Sequence, residues 1–559
     1  MNDHPTKRRT LLRGFALTAA GTCLPATATA VAAPPPGPAR SGSSALSAFP
    51  ASSAETYALT LIHLDRAGGP TADHTTRLTA LSGPGAGTAV QPHDPSGTVT
   101  LRVPKGRYLL DSALSALAAD GSVTGTDWIV RPRLDVDRDM TVVVDARTAA
   151  PVDVRPPESA AAFSHGGAFV EVTYGGVKAF ANVVHPRPNL RIAHLGPAAE
   201  PGTVRAWVDT YWTGERGTYV LGYTFSTDRA LTGLVRHPRP EDLATLEVRA
   251  AAPASGPGFG IVDFGPSSGP SPALAQPLAV PGGVTFLVTP ERGAWEVVYS
   301  APSEPEDDTE AAASATSPAH RYTVTDIAVK AGTTTVHTFD SPVFGPAMDP
   351  SPGARPPGLR TGNRLDLALA LLADGDGHPP SAPAFLAART TLHRDGVLLG
   401  TRQGTPVHAS FTVPAGRASY LLTATASRPR PAPGGAPAPV TAAWTFVSAA
   451  TRSATELPLS IVRFAPPLGV DGTVAPRRRH YVPLVVRGAA ERSGVRSLTV
   501  EVSTDRGATW SPAPVTGGRF AVTAPEPGGT VSLRVELADT FGNSLTQTHV
   551  DAYGTGTTS

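Results

Sequence analysis

Short runs of alternating apolar and polar residues, rich in β-branched and aromatic side chains, recur along almost the whole chain. Examples are Tyr57-Ala-Leu-Thr-Leu-Ile-His-Leu64, Thr98-Val-Thr-Leu-Arg-Val103, Met140-Thr-Val-Val-Val-Asp145, Arg205-Ala-Trp-Val-Asp-Thr-Tyr211, Thr218-Tyr-Val-Leu-Gly-Tyr-Thr-Phe225 and Ala294-Trp-Glu-Val-Val-Tyr299. A period of two places alternate side chains on opposite faces, so each run suits a strand with one face in a core. Gly, Pro, Asp and Ser clusters separate the runs at short intervals, the spacing of sandwiches rather than of βαβ units. The expected fold class is all-β: tandem β-sandwich modules of the Ig-like, fibronectin-III-like or prealbumin-like kind. Two stretches, Ser112 to Ala119 and Glu241 to Val248, read as short helices.

At 559 residues the chain exceeds what one core supports, so several modules are expected. Composition shifts place a β-sandwich module at 55–156, a larger β module at 157–348 with a loop insert at 300–318, a third module at 359–464, an Ig-like module at 468–553 and a disordered tail at 554–559. Val103-Pro-Lys-Gly-Arg-Tyr-Leu-Leu110 is matched by Val413-Pro-Ala-Gly-Arg417 and then Tyr420-Leu-Leu422, which suggests a hairpin repeated in two modules. Convergent turn chemistry explains the match equally well.

The first 32 residues read as a twin-arginine signal peptide. Lys7-Arg-Arg-Thr-Leu-Leu-Arg13 precedes a weakly apolar stretch from Gly14 to Leu24 and a small-residue run, with cleavage expected after Ala30 or Ala32. Residues 33–54 form a Pro/Ser/Ala leader without periodicity. The expected location is therefore secreted or extracellular. The one cysteine, Cys23, lies in the signal segment behind Thr22, a poor lipidation context, so the mature chain has no disulfide or thiol chemistry. No later stretch reaches the length of apolar residues a membrane helix requires.

Net charge is +1, and loss of the signal segment leaves 43 basic against 45 acidic residues. That balance gives no reason to expect nucleic acid or an anionic membrane as partner. With only four lysines, the basic side is nearly all arginine, and the Ala/Gly/Pro excess points to a high-GC, actinobacterial genome.

Few residues suggest a site. Asp374-Gly-Asp-Gly-His378 alternates carboxylates on a glycine turn, which makes Asp374 and Asp376 the candidate metal ligands, with calcium the ion they would suit. An EF-hand loop needs a glutamate at position 12, where Phe385 stands, so a polar turn is the competing reading. Trp207, Tyr211 and Trp212 lie in the densest aromatic region; they are either core or a face on which sugar rings stack. Asp209, Glu215 and Asp228 are carboxylates that would have to converge for a dispersed hydrolase site. His185, His194 and His237 sit near Pro/Arg turns without ligand spacing. Arg477-Arg-Arg-His480 reads as a solvated strand entrance.

Several stretches resemble, in order, the non-catalytic C-terminal region of secreted, Streptomyces-type subtilisin-like serine peptidases. They include Pro342-Val-Phe-Gly-Pro-Ala347, Arg360-Thr-Gly-Asn-Arg-Leu365, Leu371-Leu-Ala-Asp-Gly-Asp-Gly-His378, Leu392-His-Arg-Asp-Gly-Val397, Trp444-Thr-Phe446 and Val500-Glu-Val-Ser-Thr-Asp-Arg-Gly-Ala-Thr-Trp510. Each is weak alone, and the collinearity carries the resemblance over most of residues 55–553. The peptidase motifs are missing: neither Gly-Thr-Ser-Met-Ala nor His-Gly-Thr-His occurs, and His165-Gly-Gly167 is the nearest string. No catalytic residue can be carried over. The resemblance implies a secreted, non-catalytic binding or scaffold protein that engages a protein partner such as a secreted peptidase, or a cell-surface polymer. A carbohydrate-binding protein and an uncharacterised hydrolase are the alternatives.

Overall fold

In the computed structural model, residues 55–251, 258–301, 320–348, 356–380, 387–404, 408–427 and 438–556 are described. The signal segment, the leader and most of the 300–318 insert lie outside them. The chain is a succession of strands with one short α-helix, Ala489–Ser493, and three 3-10 turns among the described residues.

The N-terminal part stacks four sheets. Thr98–Pro104, Thr56–Leu64 and Met140–Asp145 form the first, and Leu234–Arg236, Ala150–Val154, Leu190–His194, Val123–Val136, Gly106–Leu117, His74–Ala80 and Ala89–Val90 form the second, each in that spatial order. The third runs from Val177–His185 through Ala162–Tyr174, Val204–Gly214, Gly217–Thr227, Gly282–Val288 and Ala244–Ala250 to Thr334–Phe339. The fourth contains Ala275–Val280, Gly258–Pro266, Trp295–Ala301 and His320–Ile327.

The two middle sheets are apolar on both faces. Leu110 and Ile129 join the core beneath the first sheet, whereas Leu109, Trp128 and Val130 join the core beneath the third. Val220 and Phe286 face the fourth sheet, and their neighbours Leu221 and Leu287 face the second. Consecutive apolar residues therefore mark strands covered on both sides. The break expected at residues 155–158 falls inside this stack: Ala150–Val154 and Leu190–His194 flank it and pair in one sheet. A boundary read from proline content misses it because the shared core is assembled from strands on both sides.

The C-terminal part repeats this economy. A nine-stranded sheet runs from Val397–Gln403 through Ala387–Arg394, Ala418–Ser427, Pro439–Ser448, Ser544–Thr555, Thr530–Asp539 and Val495–Ser503 to Ser511–Pro512, with Thr473–Val474 paired to its middle. The pairing of Pro439–Ser448 with Ser544–Thr555 fuses the expected 359–464 and 468–553 modules edge to edge. One apolar core connects this sheet to a four-stranded and a three-stranded partner. Gly554 and Thr555, expected in a disordered tail, pair with Thr473 and Val474 in this sheet.

The two matched Pro-x-Gly segments occupy the same topological place. Thr98–Pro104 and Gly106–Leu117 lie in different sheets, as do His408–Thr412 and Ala418–Ser427, so each segment is a corner crossing a sandwich rather than a hairpin. Around each corner the strand order agrees: Ala89–Val90, His74–Ala80, Gly106–Leu117, Val123–Val136 corresponds to Val397–Gln403, Ala387–Arg394, Ala418–Ser427, Pro439–Ser448. The Tyr108 hydroxyl donates to the Pro104 carbonyl at 2.5 Å. The Tyr420 hydroxyl accepts from Arg360, which also donates to the Pro414 carbonyl. A buried tyrosine tethering its own corner is known from other β-sandwiches. Shared order and shared tether support the repeat over convergence of turns.

Both stretches expected to be helical are extended. Ser112 to Leu117 continue the strand Gly106–Leu117, where Ser112 meets its cross-strand partner Thr76 at 2.7 Å within the same sheet. Pro240–Asp242 is a single 3-10 turn before the strand Ala244–Ala250. Pairing on both sides overrides a weak local preference for helix.

Candidate functional site

The end of the N-terminal stack meets the C-terminal part at the turn Asp374–His378. Among the described residues the edge strand Thr334–Phe339 pairs with Ala244–Ala250 on one side only, which leaves alternate amides pointing outward. The Asp376 carboxylate accepts from the Thr338 amide at 3.0 Å, and the Asp374 carboxylate accepts from the Asp340 amide at 3.2 Å. Carboxylates two residues apart thus stand in for the carbonyls of a missing strand. Asp374 is fully buried and also receives the His378 amide at 2.9 Å and His378 Nδ1 at 3.1 Å.

This is where the candidate metal ligands lie. Their described contacts are N–H donors, and among the described residues no group of three or more His, Cys, Asp or Glu could hold a metal ion. Gly375 is required by close approach: a Cβ there would stand 2.3 Å from the Pro342 carbonyl oxygen.

Arg463, on the C-terminal strand Ser460–Phe464, reaches into the same turn. Its guanidinium donates to the carbonyls of Gly345, Pro346, Gly375 and Asp374. Burial lowers its pKa, against the pull of Asp374 and Asp376. Burial also works against protonation of His378, but the Asp374 carboxylate outweighs it and holds the imidazole above its ordinary value. Beneath lies His549, whose Nδ1 donates to the Phe344 carbonyl at 2.9 Å while Nε2 accepts from Gln547 at 2.6 Å. Burial pushes its pKa down to about 4. A cleft of about 210 Å3 opens beside the turn, with Arg249, Asp376, Pro466 and Val470 among its lining residues.

A second cluster lies in the first sandwich. His63 Nδ1 donates to the Gly97 carbonyl at 3.0 Å, which leaves Nε2 to accept from the Thr76 hydroxyl at 2.8 Å. Thr76 also contacts Ser112 at 2.7 Å and His74 Nδ1 at 3.0 Å, and the His63 and His74 rings stack at 3.5 Å. Hydroxyls beside imidazoles are what nucleophilic catalysis uses. Here a carbonyl rather than a carboxylate orients His63, and His63, Thr76 and Ser112 are at most 2 % exposed. The cluster ties strands together inside a core.

The aromatic segment faces inward. Trp207 and Tyr211 are buried, and Tyr211 contacts Ser271 at 2.6 Å and donates to the Pro272 carbonyl at 3.0 Å. Trp212 is half-buried; its indole N–H donates to Thr210, and Phe163 packs against its ring edge-on. The hydrolase carboxylates do not converge. Asp209 is sealed in a bond to Arg292, Glu215 sits at the turn of the hairpin and Asp228 beyond its far end, separated by the strand Gly217–Thr227, roughly 35 Å long. Solvated hairpin ends were indistinguishable from a shared cleft in the sequence.

Sequence reading missed Arg463, His549, Gln547 and the His63–Thr76–Ser112 cluster. The available signal was polar residues at inward positions, such as Arg463 within Ile461-Val-Arg-Phe464 and Gln547 opposite Ala442.

No known family's model matches the chain, and no curated protein matches its sequence. Similar solved structures include the major pilin subunit BcpA of Bacillus cereus, at 8% identity over 51% of this chain and 99% of the pilin, with a TM-score of 0.13. The Bacillus anthracis TIE protein is similar at 11% identity over 66% of this chain and 70% of its own, with a TM-score of 0.12. Sidekick-1 immunoglobulin domains 1–5 are similar at 9% identity over 85% and 91%, with a TM-score of 0.11. At these scores none of the three shares a superimposable arrangement with this chain.

Proposed function

We propose that this chain is an exported, non-catalytic β scaffold that presents binding surfaces to a protein partner, with a secreted peptidase the partner the collinear resemblance suggests. The observation that carries it is the use to which the chemistry-bearing side chains are put. Asp374, His378 and Arg463 lock a turn against an edge strand, Asp209 and Arg292 neutralise each other in a core, and the Thr76 and Ser112 hydroxyls are enclosed. Sheets shared between modules suit a rigid spacer, since bending at those boundaries requires breaking strand pairings. The twin arginine Arg8-Arg9 and the small-residue run to Ala33 support export.

The test is zymography of the purified protein together with labelling by a serine-directed fluorophosphonate. No clearing and no label are expected. Proteolysis abolished by that reagent would overturn the reading. Glycan binding through Trp207 and Tyr211 has no support in their burial, so polysaccharide pull-down should not respond to Trp212→Ala.

A further inference from the structure

We infer that the free edge of Val397–Gln403 is a strand-addition surface for an extended acidic segment of a partner protein. This names a partner chemistry for the scaffold and rests on that reading. The strand ends the nine-stranded sheet, and among the described residues it pairs only with Ala387–Arg394. Val397 is 67 % exposed, Leu398 51 % and Leu399 39 %. Leu421, two strands further in, and Val447, three strands further in, are also exposed and extend the apolar surface. Natural sheets shorten, charge or cover such an edge, because its unpaired amides and carbonyls recruit other strands.

The repeat supplies an internal comparison. The topologically equivalent edge of the first sandwich, Ala89–Val90, has two residues, whereas Val397–Gln403 has seven. The sandwich therefore closes without a long edge there, and the apolar extension serves something outside the fold.

Charge selects the occupant. The hairpin Ala387–Gln403 carries Arg389, Arg394 and Arg402 against Asp395 alone, in a chain that is otherwise close to neutral. Arg389 and Arg402 are exposed. A second copy pairing through the same edge would bring two net-positive hairpins together, which repel. A strand alternating acidic and apolar residues pairs its backbone with the edge, covers Leu398 and lies beside Arg402 on the edge strand, with Arg389 one strand behind.

The experiment uses the full chain with a synthetic peptide alternating glutamate and valine, followed by fluorescence anisotropy and hydrogen exchange. Saturable binding, slowed exchange confined to Val397–Gln403 and its hairpin, and about tenfold weaker binding as salt rises from about 0.1 M to about 1 M support the assignment. The double variant Arg389→Glu, Leu398→Asp should lose binding about tenfold or more while keeping its far-ultraviolet spectrum. No binding, equal binding of a lysine–valine peptide, unchanged binding by the variant, or protection at another edge such as Val177–His185 would overturn it. So would concentration-dependent dimerisation abolished by Leu398→Asp, which would give the edge to a second copy. Failure here leaves the scaffold reading to the serine-directed test.

Discussion

Arg292 and Asp209, 83 residues apart in the chain, form an ion pair at 2.8 Å with side chains 0 % and 1 % exposed. The same guanidinium donates to the carbonyls of Ser268 and Pro270, and Tyr211 and His165 bind Pro272 and Ala273. One buried pair thus fastens the proline-rich segment 268–273 across the third sheet. Asp209→Ala should destabilise the protein by roughly 3–5 kcal/mol, because it leaves a buried guanidinium without its counter-charge. Replacing both residues by leucine and methionine should recover most of that loss. Urea unfolding of the two variants checks both outcomes.

The corner tyrosines predict an asymmetry between the repeats. Tyr108→Phe removes one donor to the Pro104 carbonyl and should cost about 1 kcal/mol. Tyr420→Phe also removes the acceptor of the buried Arg360 guanidinium, and should cost about 2–3 kcal/mol. Equal losses in paired denaturation curves would contradict the tether as drawn.

Acid should weaken the fold through two imidazoles. Burial holds His549 at about 4, and burial with the neighbouring His63 and His93 holds His74 at about 4. An unfolded histidine titrates near 6.5, so between those values the unfolded state binds more protons and stability falls as pH drops. For His549 the loss is on the order of 3 kcal/mol once pH reaches the lower value. His549→Gln should flatten this part of the stability–pH curve, measured by thermal unfolding from about pH 7 to about pH 4.

His378 has the opposite sign. Its raised pKa, caused by Asp374, contributes stability below the unfolded value and loses it as pH rises through the folded one. His378→Gln should therefore lower stability at mildly acidic pH and leave it unchanged at alkaline pH. Hydrogen exchange at the Thr338 and Asp340 amides, which the turn covers, reads the effect locally.

Gly375→Ala should disturb the same junction more than Asp376→Asn, since the new methyl meets the Pro342 carbonyl, whereas asparagine still accepts from Thr338. Limited proteolysis at the junction distinguishes the two.

Period-two alternation in segments such as Tyr57–Leu64 and Thr98–Val103 determined, without any coordinates, that this chain is built of strands, because alternate side chains must leave a strand on opposite faces. The Pro-x-Gly matches before Tyr108 and Tyr420 marked equivalent places in two modules, but read as hairpins; only the sheet assignment makes them corners. Much less of the junction was legible: Asp374 and Asp376 stood out as carboxylates on a turn, but nothing local revealed that their partners would be edge amides at Thr338 and Asp340. Which strands share a sheet, and hence that modules fuse through Pro439–Ser448 and Ser544–Thr555, is settled by contacts about a hundred residues apart. Arg463, His549 and Trp207 acquire their roles only there. Burial depends on what covers a side chain, and the covering segment lies elsewhere in the chain.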